Sequence, residues 1–172
     1  GFGPVPGVRV GVLILIMAGC SREALDPVRF LVNRSTGKQV VALAQAARDL
    51  GASVHLIGAN LEVPAPDGVQ VTRVVSAREL RDAVLEAQNN TDMLIMSAAV
   101  ADFRPAEYAE YKIKKTADPD DNPVIRLVRN PDILREVVQR RQQLGGGPRL
   151  IVGFAAETGS PDKTPLELGR EK

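Results

Sequence analysis

The sequence predicts an α/β fold: an open, mostly parallel sheet with helices on both faces. Three observations carry that reading. Short apolar runs alternate with longer amphipathic stretches along the chain. The first run, residues 8–17 (VRVGVLILIM), is apolar almost throughout, as a strand buried on both faces must be. The amphipathic stretches also carry helix start and stop signals.

The elements follow in order. Residues 1–7 (GFGPVPG) read as a loose leader before the domain, which occupies 8–172. A polar segment, 18–37, separates the first strand from a helix over 38–50. There Val40, Leu43, Ala47 and Leu50 recur at the spacing of one helical face, and Gly51 stops the helix. A second strand is predicted over 53–57, a loop over 58–68 and a third strand over 69–75. Ser76 and Glu79 form a capping box, opening a helix that runs to 88. Residues 92–98 (DMLIMSA) predict a strand, 99–117 mostly loop, and 124–128 a short strand. Asn130-Pro131-Asp132 predicts a helix start, with Asn130 as N-cap, Pro131 in the first turn and an acid near the positive end. That helix reaches 144 and stops at Gly145-Gly146-Gly147-Pro148. A strand over 149–154 and the start of another helix over 165–172 complete the chain.

Composition excludes several function classes. The 172 residues hold 22 Lys and Arg against 21 Asp and Glu, so a net charge of +1 supplies no bulk basic field for nucleic acid or an anionic membrane. Aromatics are 3% of the chain, too few for a base-stacking platform. A single cysteine, Cys20, forms no internal disulfide, and a single histidine, His55, excludes multi-His metal sites. The apolar run 12–18 is too short to span a bilayer, and no signal-peptide pattern precedes it. A cytoplasmic protein is the expectation.

In such a sheet, ligands bind beyond the C-terminal strand ends, where the strand order reverses. Four motifs follow predicted strand ends. The loop 19–38 leads into a helix N-terminus, where Ser35, Thr36, Gly37 and Lys38 read either as a phosphate cradle or as a plain capping loop. It matches neither GxxxxGK[ST] nor GxGxxG. Residues 97–105 (SAAVADFRP) place small residues at a strand end, with Asp102 either a ribose or metal partner or a turn cap. Lys112-Ile113-Lys114-Lys115 reads either as a solvated surface run or as a triphosphate counter-charge. Residues 153–158 (GFAAET) put Phe154 either in the core or against a base. His55 reads as structural. Cys20, without a histidine near it in sequence, reads as a small loop residue.

Residues 26–38 (DPVRFLVNRSTGK), 98–102 (AAVAD), 112–115 (KIKK), 130–134 (NPDIL) and 153–158 occur in the order found in bacterial phosphopantothenoylcysteine synthetase, which this chain resembles over nearly all residues after Gly7. The resemblance implies a Rossmann-like sheet. It implies a phosphopantothenate–cysteine ligase of coenzyme A biosynthesis that uses CTP and Mg2+. The family activates 4'-phosphopantothenate as an acyl-cytidylate with release of pyrophosphate, then joins it to cysteine with release of CMP. Asn33 and Arg29 match the family's catalytic positions. Met96, Ser97, Ala98, Asp102, Lys112, Asn130, Pro131, Asp132, Ile133, Phe154 and Lys172 match CTP contacts. Gly19, Ser21, Ser35, Thr36, Gly37 and Lys38 match phosphate or phosphopantothenate contacts. The resemblance further implies a homodimer, or a higher oligomer through a fused decarboxylase domain, and a chain that continues past Lys172. The sequence departs from the family pattern at Met17, where a loop hydroxyl is expected, at Cys20 and at Val40. Those departures leave a non-catalytic CTP-binding module as the alternative reading. A dinucleotide-dependent oxidoreductase is a more distant one, for want of GxGxxG. The few aromatic side chains are expected around one cleft.

Overall fold

The computed structural model describes residues 11–34, 38–154 and 170, with the side chains of Lys38 and Gln39 also outside it. The expected leader, the first residues of the first strand, the 165–172 helix start, Ser35, Thr36, Gly37 and Lys172 therefore lie outside the described residues.

Five parallel strands form the central sheet: β1 (Leu13–Gly19), β4 (Ser53–Ala59), β5 (Gln70–Val74), β6 (Met93–Met96) and β9 (Leu150–Gly153), in the order β5-β4-β1-β6-β9. β1 is central and pairs with β4 on one side and β6 on the other. The chain winds outward from β1 to β5, returns across the sheet, then winds the other way through β6 and β9. The topological switch therefore falls between β1 and β6.

Alternation along β1 divides the core into two layers. Ile14, Ile16 and Ala18 meet Val40, Ala44 and Ala47 of α1 (Lys38–Asp49) on one face. Leu15 and Met17 pack with Leu80 and Val84 of α2 (Ala77–Ala87) and Ile133 and Val137 of α3 (Ile133–Leu144) on the other. The expected sheet with helices on both faces is thus present, and its buried core is aliphatic. A short 3-10 turn over Gln88–Asn90 extends α2.

Several expected features change. Strands β1 and β4 run two residues further than expected, to Gly19 and Ala59, because those ends keep pairing with each other. Two antiparallel ribbons lie on the C-terminal rim. One pairs β2 (Arg22–Ala24) with β3 (Phe30–Val32); the other pairs β7 (Phe103–Pro105) with β8 (Leu127–Arg129). Strands β2, β3 and β7 fall where loops were expected, while β8 overlaps the short strand expected over 124–128 and begins three residues later. Helix α3 starts at Ile133, and its N-cap is Asp132, whose side chain accepts from the Arg135 N–H. Asn130 does not cap it: the Asn130 amide is held elsewhere, by Ala101 and Arg104. The Gly145 stop is as expected, in the left-handed conformation at φ 64°. Met17 is not a loop residue near phosphate but a fully buried side chain within β1, and Val40 is buried against the sheet rather than at a ligand or partner surface.

Candidate functional site

The loops after β1 and β6 are zipped together beyond the strand ends. The Ser97 N–H donates to the Met17 carbonyl at 3.0 Å, Ala99 N–H to Gly19 at 2.8 Å, and Ser21 N–H to Ala99 at 3.1 Å. Fully buried Ser21 accepts the Ala101 N–H on its hydroxyl at 2.9 Å. Ser21 therefore braces the second loop and does not line a surface, which removes it from direct contact with a phosphate in solution. Gly19 is at φ +86°, and a side chain there would collide with the Ala59 carbonyl. That carbonyl accepts the Cys20 N–H at 2.9 Å, so the close approach is used. Asn60, itself at φ 49°, completes the joint by donating from Nδ2 to the carbonyls of Cys20 at 2.8 Å and Val75 at 2.9 Å.

On the β6 side lies an open cleft of about 920 Å³, between the 96–103 loop, the start of α3 and Phe154. It brings together Met96, Ala98, Asp102, Asn130, Pro131, Asp132, Ile133 and Phe154 from segments 58 residues apart (154 minus 96). The Asn130 side chain shapes this cleft from below. Its Nδ2 donates to the Ala101 carbonyl at 2.8 Å, its Oδ1 accepts from Arg104 at 3.2 Å, and its backbone N–H donates to Asp102 at 2.8 Å. The N-terminal turn of α3 faces the cleft, whose lining sets Arg129 and Arg135 against Asp102 and Asp132, so positive groups for phosphate and carboxylates for a cation stand together. Phe154 is 68% exposed, which removes the core reading of that ring and leaves its face open to a planar partner. Ser97 and Lys112 are not on this lining. Ser97 is tied to β1, and Lys112 is exposed on the 106–125 loop.

A second concavity, of about 340 Å³, lies on the β4 side and includes Gly19, Arg22, Phe30, Asn33, Arg34 and Asn60. The Arg22 guanidinium sits 4.8 Å from the Phe30 ring centroid. Exposed Asn33 donates from Nδ2 to the Val100 carbonyl at 3.2 Å, and Val100 lines the larger cleft. Asn33 therefore stands on the ridge between the two concavities.

Arg29 faces neither. Its Nη1 donates to Asp26 Oδ2 at 3.0 Å and to the Ile113 carbonyl at 3.1 Å, and it lines a third cavity of about 960 Å³ beside Lys114 and Lys115. Asp26, missed by the sequence reading, also accepts the N–H groups of Val28 and Arg29 on Oδ1 and of Ile113 on Oδ2. Burial raises its pKa, but the three backbone N–H groups and the Arg29 charge outweigh it and hold the carboxyl below the ordinary range. The DPVR string was the available signal, since Asp two or three residues before free N–H groups builds an Asx turn. Glu23, buried, caps α2 from the first ribbon by accepting the Ala77 N–H at 2.8 Å.

The rings do not gather around one cleft as expected. Phe103 and Phe154 line the open cleft on the β6 side, Phe30 the concavity on the β4 side, and Tyr108 a separate hollow, while Tyr111 stands 84% exposed. His55, on β4, is bonded through Nε2 to Thr72 Oγ1 at 2.7 Å within the sheet, away from these concavities. Among the described residues no three His, Cys, Asp or Glu side chains gather to hold a metal, and no helix is long and apolar enough to cross a membrane.

Comparison with known proteins adds a family. The model of the DNA/pantothenate metabolism flavoprotein C-terminal domain matches residues 10–172. The coenzyme A biosynthesis bifunctional protein CoaBC of Mycobacterium bovis is 48% identical over 171 residues, covering 98% of this chain and 40% of that protein. CoaBC of Vibrio vulnificus is 48% identical over 145 residues, covering 84% of this chain and 35% of that protein. The chain thus spans about two-fifths of the length of these curated relatives. The crystal structure of the C-terminal domain of CoaBC matches with a TM-score of 0.69 at 36% identity, covering 88% of this chain and 67% of that one.

Proposed function

We propose that this chain, which belongs to the DNA/pantothenate metabolism flavoprotein C-terminal domain family, is a CTP-dependent phosphopantothenate–cysteine ligase module. The observation that carries the reading is the convergence of eight residues matched to CTP contacts, from Met96 to Phe154, on one cleft at the β1–β6 switch.

The chemistry has two steps. The 4'-phosphopantothenate carboxylate attacks the α-phosphorus of CTP, forming an acyl-cytidylate and displacing pyrophosphate. The cysteine amine then attacks the acyl carbon, an amide bond forms, and CMP leaves. Negative charge develops first on phosphate and then on a carbonyl oxygen, so fixed donors and positive ends are what the chain must supply. The α3 N-terminus, Arg129 and Arg135 supply them in the large cleft, while Phe154 offers a stacking face for the base. Asn33 stands on the ridge between that cleft and the Arg22–Arg34 concavity, where an acyl donor held on one side meets a nucleotide held on the other. The six-residue zipper of the two loops keeps the ridge rigid.

Magnesium enters with the nucleotide. Mg2+ is commonly held by one or two carboxylates together with substrate phosphates, and Asp102 and Asp132 on the cleft lining fit that demand. When bound it neutralises phosphate charge. The positions that suggested a degenerate module lose that force: Met17 and Val40 serve the core, and Cys20 is buried beside Ala59.

The test is a substrate-omission series on the purified protein. Pyrophosphate release is expected only with CTP, Mg2+ and phosphopantothenate together, and amide formation only when cysteine is added. Asn33→Asp is expected to slow amide formation by about a hundredfold or more, the scale of losing one preorganised donor. CTP binding without pyrophosphate release under any combination would replace the ligase with a binding module.

A further inference from the structure

We propose that Asp26 is a positioning residue that ties the Asn33-bearing ribbon to the lysine-bearing loop and aims Arg29 between them. This rests on the ligase reading above for its functional consequence, though not for the tether itself.

The two oxygens of Asp26 do different jobs. Oδ1 accepts Val28 N–H at 2.9 Å and Arg29 N–H at 2.8 Å, both within three residues. That is a local turn, and many Asp or Asn residues make one. Oδ2 reaches 87 residues along the chain to the Ile113 N–H at 3.1 Å, and it also accepts Arg29 Nη1 at 3.0 Å. Arg29 Nη1 then donates to the Ile113 carbonyl at 3.1 Å, closing a cycle of Asp26, Arg29 and Ile113. The Asp26 side chain has no exposed surface, whereas Arg29 is 48% exposed. A guanidinium carries five N–H donors, and only Nη1 is used here, so the rest of the group is available to the cavity it lines with Lys114 and Lys115. One further bond, Ala109 N–H to the Leu25 carbonyl at 3.0 Å, runs in parallel.

Ile113 is the one residue between Lys112 and Lys114. Pinning its backbone from both N–H and carbonyl fixes where three of the chain's ammonium groups start. Asn33 follows directly on β3, four residues after Arg29. A single buried carboxylate thus sets the distance between the ridge residue and the cationic loop.

Asp26→Asn separates the two jobs. Its amide keeps a carbonyl oxygen for the turn but presents an NH2 to Ile113 N–H and Arg29, donor against donors. Ile113→Pro removes the partner N–H from the loop side. Each variant is expected to raise the KM for CTP in pyrophosphate release about tenfold or more, the scale of losing a hydrogen bond to a charged group. The double variant should be no worse than the more impaired single, because both break one cycle. Amide exchange over 107–116 should speed up, while that of β1 and β4 stays as in wild type. Wild-type KM and wild-type exchange in Asp26→Asn would overturn the inference. If that variant does not fold, Ile113→Pro decides by the same two readings. If wild-type protein fails to bind CTP, the ligase reading falls, and the exchange contrast still decides the tether.

Discussion

The two ribbons on the C-terminal rim are the same size and are held by opposite chemistry. Each pairs three residues with three, antiparallel. The β2–β3 ribbon is fastened by a carboxylate, Asp26, which only accepts and reaches a partner 87 residues away. The β7–β8 ribbon is fastened by an amide, Asn130, which donates to Ala101, accepts from Arg104 and reaches no further than 29 residues. A three-residue pairing is too short to be stable by itself. In both places polar side chains do what strand length does not, with Glu23 and Asn33 assisting the first ribbon and Arg104 the second. The difference is that the first fastening depends on a titratable carboxylate, while the second depends on an amide that does not titrate and on the Arg104 guanidinium, which stays charged.

The joint between the two sides comes first in expected size. Gly19→Ala places a Cβ against the Ala59 carbonyl in a left-handed backbone. Strain of that kind costs about 1–2 kcal/mol, and the collision adds to it, so a loss of about 3 kcal/mol or more in urea unfolding is expected. Both ribbons should loosen together, read as faster amide exchange in each. If only one loosens, the two sides are not joined through Gly19. Asn130→Ala comes next. It strips the Ala101 carbonyl of its donor and Arg104 of an acceptor, at a cost of about 1–3 kcal/mol. Exchange over 101–105 should rise while the β2–β3 ribbon keeps its protection. A rise in both would show that the ribbons are one unit rather than two.

This contrast also explains what could be read in advance. The sheet, helices α1, α2 and α3 and their order were legible because burial imposes a period: apolar residues crowd β1 and recur along α1. Of the ribbon strands only β8 was anticipated, as a short strand over 124–128, since three residues carry no period. The start of α3 was misplaced for a related reason. Asn130 and Asp132 are both good N-cap types, and only the positions of Ala101 and Arg104, far off in sequence, decide that Asn130 is used elsewhere. The large cleft was legible as a set of segments but not as a lining: eight matched residues meet there, whereas Ser97 turns to β1 and Lys112 stays on its loop. Asn33 and Arg29 are four residues apart and face different cavities, because strand β3 runs between them and Asp26 draws Arg29 back toward Ile113. The rings were expected together because Phe30, Phe103 and Phe154 fall inside the ligand motifs and Tyr108 and Tyr111 precede the lysine run. They are scattered because each borders whichever concavity its own ribbon or strand end forms.

The smallest expected effect on global stability is also the one that separates the two fastenings most cleanly. The folded pKa of Asp26 lies below its ordinary value of 3.8, so the carboxylate is ionised in both folded and unfolded chains above that pH, and its contribution is fully present. As the pH falls through 3.8, the unfolded chain takes up the proton first. Stability then declines until the folded group is protonated too, and the tether to Ile113 and Arg29 goes with it. His55 adds an earlier slope, because burial lowers its pKa from 6.5, and the neutral ring in the sheet loses ground to a protonated unfolded chain as the pH drops below that value. The His55 slope concerns the whole fold through β4. The Asp26 slope concerns one loop. Limited proteolysis or pulsed exchange, followed as the pH is taken from 7 to below 3.8 and on through the lower folded pKa of Asp26, is therefore expected to release 107–116 while 101–105, held by an amide without a titrating proton, stays protected. Equal release of both segments at the same pH would mean that the carboxylate and the amide fasten the rim in the same way, and would remove the distinction between the two ribbons.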